Sequence, residues 1–107
     1  MQYLDKLADI EQRFEDLTRQ MADPEIISDN DIYRKTARQQ SELQEIVEKY
    51  REWKKVHSDL EGVRAMLTET DPELLEMAQD DVARLEPELE ALEKELKLLL
   101  LPRDPND

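Results

Sequence analysis

From Tyr3 the apolar side chains recur at Leu7, Ile10, Phe14, Leu17 and Met21. Steps that alternate four and three keep one stripe on one face of an α-helix, because that spacing averages close to the helical repeat. The pattern returns twice. It runs through Ile32, Thr36, Gln39, Leu43, Ile46, Tyr50, Trp53, His57, Leu60, Val63 and Leu67, then through Leu74, Ala78, Val82, Leu85, Leu89, Leu92, Leu96 and Leu99. A chain with three such stripes hides them most directly by packing helix against helix.

The breaks between stripes are short. Pro24 disfavours helical geometry at Asp23, so the first helix is expected to end near Ala22. Within "DPEIISDND", Ser28, Asp29 and Asn30 are all good N-cap residues, and the second helix should begin close to them. No proline lies between Glu25 and Thr70. One helix of about 40 residues, about 55 to 60 Å long, is therefore expected. Gly62 loosens it by about 1 kcal/mol relative to alanine. Thr36, Gln39 and His57 weaken the stripe without breaking its period.

The third helix has two possible starts. Asp71 serves as N-cap with Pro72 at the first helical position, or Thr70 and Glu73 form a capping box. Pro87 falls inside the third stripe, where it removes a backbone donor and crowds the carbonyl four residues earlier. A kink or a restart is expected there, and the unbroken period on both sides favours a kink.

These elements predict an all-α fold. It is an antiparallel three-helix bundle or helical hairpin with coiled-coil-like packing, one short helix and two long ones. The single glycine in 107 residues points the same way, since sheet turns and phosphate-cradling loops need residues that tolerate positive φ. The short first helix leaves one end of the long pair as a two-helix hairpin. That end holds Trp53, Leu60 and Leu89, and contact with another body is expected there.

Charge narrows the function. A formal net charge of −13 argues against direct DNA or RNA binding and against an anionic membrane. Residues 32–70 hold eight basic and seven acidic side chains, whereas residues 71–97 hold three and ten. The second and third helices are thus partly complementary. Lys49, Arg51, Lys54 and Lys55 form the one basic patch. Tyr50 and Trp53 between them follow the core stripe while the cations point outward, so a solvated face is expected, with an RNA or protein contact as the alternative. The start "MQYLDKLADI" has no secretory pattern, and no run approaches the roughly 20 apolar residues of a membrane span. Cysteine is absent, which fits a reducing compartment. A cytoplasmic location is expected.

No catalytic, cofactor-binding or metal-ligating residue emerges, and the chain is not expected to be an enzyme. His57 is the only histidine, so a metal site around it would need carboxylates alone as its other ligands. On a helical stripe it reads as a packed or half-buried side chain. Asp80 with Asp81, or Glu93 with Glu95, reads as a solvated acidic face rather than an acid/base pair.

The sequence closes on "LLLLPRDPND". Leu98 to Leu101 need cover, so a domain edge is expected there. Uncovered leucines also make self-association of the chain expected.

Several stretches, taken in order, resemble the N-terminal helical domain of bacterial class I peptide chain release factors. They are "RFEDL", "DPEIISD" with Tyr33, "LQEIVEKYREW", "DPELLEMAQDDVARLEPELEALEKEL" and "LLLLPRDPND". The set looks more like the factor reading UAG and UAA than the sister factor reading UGA. The resemblance implies a parent protein that promotes peptidyl-tRNA ester hydrolysis on the ribosome. It also implies a helical domain over residues 1–101 lying near the stalk base of the large subunit, with 102–107 starting a linker to a further body. Neither functional motif of that parent occurs here. Gly62 alone cannot form Gly-Gly-Gln, and no proline is followed two positions later by threonine, as a Pro-Xaa-Thr codon reader requires. The alternative is a stand-alone coiled-coil or spectrin-like interaction adaptor, against which the unequal helix lengths count.

Overall fold

The computed structural model describes residues 2–102. Four helices follow in order: α1 (Gln2–Met21), α2 (Pro24–Ser28), α3 (Asn30–Ala65) and α4 (Pro72–Leu99). A 3-10 turn at Met66–Thr68 separates the last two. No strand occurs among the described residues, and the fold is all-α as the periodicity predicts. The chain divides into two compact units, Met1–Glu48 and Lys49–Asp107. The linker expected over 102–107 lies, beyond Pro102, outside the described residues.

In the first unit α1 runs 20 residues and buries Leu7 and Leu17, with Tyr3, Ile10, Phe14 and Met21 half-buried along the same stripe. Gln40 donates from Nε2 to Thr18 Oγ1 at 3.2 Å, which ties α3 to α1. The connector is more ordered than its composition suggests, for it contains the five-residue α2. Asp23 caps that helix, accepting from the Glu25 N–H at 3.0 Å, and Pro24 supplies a preset φ at the first position. Asp29 then does two jobs. Its N–H bonds to the Ile26 carbonyl and closes α2, while its carboxylate accepts from the Ile32 N–H at 3.2 Å and opens α3.

Thr36 is buried, yet its hydroxyl donates to the Ile32 carbonyl at 2.9 Å, so a polar member of the stripe leaves no unsatisfied group. Val47 is buried beside Ile46, outside the four-three stripe. The apolar arc of a packed helix is wider than a strict coiled-coil seam, and neighbouring positions therefore go inside together.

The second unit is a helical hairpin of late α3, the 3-10 turn and α4. Tyr50, Trp53, Val56 and Leu60 of α3 are buried, as are Ala78, Leu85, Leu92 and Leu96 of α4. Each leucine wholly removed from water contributes about 1.5 to 3 kcal/mol, which makes this row the main adhesive of the hairpin. Two cross-links fix the antiparallel direction: Lys49 Nζ to Glu95 Oε2 at 3.0 Å and Arg64 Nη2 to Glu86 Oε1 at 3.3 Å. Residue numbers rise along α3 as they fall along α4.

Gly62 does not end α3, which continues to Ala65 before the 3-10 turn. Asp71 accepts from the Glu73 N–H at 2.9 Å with Pro72 at the first position, so the aspartate cap forms rather than the Thr70–Glu73 box. Pro87 sits inside α4, which runs on through it without a restart. Both Pro87 and Ala83, whose carbonyl lacks the usual donor from residue 87, are exposed, so the lost hydrogen bond does not leave a buried orphan.

Candidate interaction surface

Three rings run along one face of α3. Tyr50 and Trp53 stack with centroids 6.2 Å apart, and Trp53 and His57 stack at 4.8 Å. Spacings of three and four residues place successive side chains on one face, so the ladder follows directly from the sequence. Trp53 is buried, and its Nε1 has no hydrogen-bond partner among the described residues. His57 is half-buried, packed on the indole with Nε2 3.9 Å from Glu61 Oε1. Nothing in this arrangement resembles a nucleophile and its base.

Two cations of the basic patch have partners on the hairpin. Lys49 reaches Glu95 at 3.0 Å and Glu52 at 3.7 Å. The hydrogen bond and charge of Glu95, followed by the charge of Glu52, hold its ammonium above the ordinary lysine value. Lys54 Nζ sits 4.6 Å from the centroid of Tyr50, a cation–π contact that covers the ring from outside. Among the described residues no cluster of three or more histidine, cysteine or acidic side chains is arranged to hold a metal ion.

Exposed apolar side chains mark three places. Ile27 and Ile32 flank the α2–α3 junction. Met66, Leu67, Leu74 and Met77 gather where the 3-10 turn meets α4. Leu98 and Leu101 lie at the end of α4. With Lys94 and Lys97 the last two line an open groove of about 390 Å3. Trp53, Leu60 and Leu89 mark the hairpin end at which contact with another body is expected. Trp53 and Leu60 are buried and Leu89 is half-buried, because α4 is long enough to cover them within the hairpin. Ile32, Leu67 and Leu74, read from the stripes as core, are exposed instead; Ile32 and Leu74 lie in the first turn of α3 and of α4, and Leu67 in the 3-10 turn between them.

The described residues thus define a helical hairpin with a capped start to α4 and a buried leucine row. The chain belongs to the PCRF domain family, whose match spans residues 10–107. It is similar to peptide chain release factor 1 of Acidobacterium capsulatum, with 48% identity over 103 residues, 96% of this chain and 29% of that protein. The release factor 1 of Alkaliphilus oremlandii is 47% identical over 106 residues, 97% of this chain and 30% of that protein. That of Maridesulfovibrio salexigens is 45% identical over 102 residues, 95% and 29% respectively. The chain thus spans under a third of the length of these curated relatives. No solved structure shows a significant match. No helix among the described residues is long and apolar enough to cross a membrane.

Proposed function

We infer that the chain is the N-terminal helical domain of a translation termination factor whose parent directs peptide release at UAG and UAA. The observation that carries this reading is the family match over residues 10–107 together with identities of 45 to 48% to release factor 1 proteins. In this role residues 1–101 form the domain and 102–107 begin a linker to the codon-reading and hydrolysis-promoting body. The domain itself performs no hydrolysis, for its sequence holds neither Gly-Gly-Gln nor a Pro-Xaa-Thr codon reader. Its work is to dock and position the parent in the cytoplasm at the stalk base of the large ribosomal subunit. A net charge of −13 suits contact with basic ribosomal protein better than contact with bare rRNA.

A spectrin-like adaptor would need three comparable helices, whereas α1, α3 and α4 run 20, 36 and 28 residues. Co-sedimentation with large ribosomal subunits tests the docking role. The chain is expected to pellet with complete subunits and to remain in the supernatant with subunits stripped of stalk-base proteins. Failure to pellet with complete subunits at any salt concentration contradicts it.

A further inference from the structure

We propose that the α3–α4 end of the hairpin, formed by Met66, Leu67, Leu74 and Met77, is a docking surface for a cationic protein segment that carries apolar side chains. This proposal rests on the docking role above and names the surface that performs it. The four side chains are between 39% and 61% exposed, and all belong to the second unit. Leu74 and Met77 share one face of α4 at a spacing of three residues. The 3-10 turn that carries Met66 and Leu67 packs against that helix. Four large apolar groups left in water where this turn meets α4 are a patch, not the scattered exposure every surface shows. Methionine suits such a place because its unbranched thioether adapts to the shape it meets.

Charge selects the occupant. From Ala65 to Asp81 the sequence holds six carboxylates and no lysine, arginine or histidine. An apolar patch inside an acidic collar attracts lysine or arginine and repels phosphate, which sets protein above nucleic acid as the partner. A second copy is disfavoured for the same reason: each copy carries −13, and the two collars would face each other with like sign. The fitting partner is an amphipathic helix or loop whose leucine-like anchors meet the four side chains while its cations reach the collar.

The test uses the whole chain with two synthetic peptides of one composition, read by fluorescence anisotropy, and large ribosomal subunits in parallel. One peptide carries leucine on one helical face and lysine on the other, and the second is scrambled. The ordered peptide is expected to bind, with affinity falling as salt rises. Leu67→Asp combined with Met77→Asp should weaken binding about tenfold or more. Leu98→Asp, at the opposite end of α4, should leave it within about twofold. Glu73→Lys with Glu76→Lys should weaken binding and flatten its salt dependence, and this pair keeps the test valid should the first variant misfold. Equal binding of the two peptides, or of wild type and the Leu67/Met77 variant, overturns the proposal. If subunits bind wild type and that variant equally, the surface is wrong while ribosome docking stands. If peptide binding depends on the surface and subunits do not bind, the surface stands and the ribosomal reading fails. Tighter binding of an RNA duplex than of the ordered peptide, or a doubling of mass by light scattering that the Leu67/Met77 variant abolishes, overturns the assignment of the occupant.

Discussion

Lys49 of α3 and Glu95 of α4 meet at 3.0 Å, far from the turn that joins the two helices of the hairpin. Its partner at the other end, Arg64 with Glu86, closes at 3.3 Å. Between them on α3 lie Trp53, Val56 and Leu60, and on α4 Leu92, with Leu85 and Leu96 next to the two glutamates, all buried. The charges frame the apolar row and fix its register. They do not supply its strength, since exposed ion pairs contribute little and are screened by salt.

That division predicts a pH signature. Glu95 raises the Lys49 value, so the pair's contribution is fully present below the ordinary lysine value. It is lost as pH rises through the raised one. The stability difference between wild type and Glu95→Gln should be constant across neutral pH and shrink above about pH 10.5. It should also shrink in about 1 M salt. Urea denaturation at several pH values measures both.

The apolar row should behave differently. Leu96 is 0% exposed, and Leu96→Ala is expected to cost about 2 to 5 kcal/mol, insensitive to salt. Leu98→Ala, two residues on and exposed, should change stability by less than about 0.5 kcal/mol. Denaturation midpoints of the two variants give the comparison directly.

Gly62 offers a gain. It lies inside α3, and a Cβ added there meets nothing within 4 Å. Gly62→Ala should therefore stabilise the chain by about 0.5 to 1 kcal/mol, through lost freedom in the unfolded state. Thermal unfolding followed by circular dichroism would register it as a higher midpoint.

The N-cap of α4 gives the opposite sign. Asp71→Ala removes the acceptor for the Glu73 N–H and should cost about 1 kcal/mol, whereas Asp71→Ser should retain most of the cap. The same thermal scan separates the two variants.

Much of this architecture is legible in the sequence because its causes are local. Asp71 before Pro72 announces a helix start whatever packs around it, and the spacing of Leu85, Leu92 and Leu96 survives any choice of partner. The α2 helix is not legible in that way. Five residues are too few to show a period, and Asp29 must both end one helix and begin another. Val47 and Val56 were missed because a four-three stripe selects about one seam position per turn, while burial here extends to their neighbours. The exposure of Leu67 and Leu74 is not legible for the converse reason. Periodicity says that a side chain lies on the apolar face, but not whether another element covers it there.

The most direct measurement is a purified termination reaction in which an intact release factor 1 acts on ribosomes stalled at UAG or UAA, with this chain added in excess. A docking domain without chemistry predicts that the chain releases no peptide alone and slows release by the intact factor as its concentration rises. Release by the chain itself, or an unchanged rate at the highest excess attainable, would contradict it.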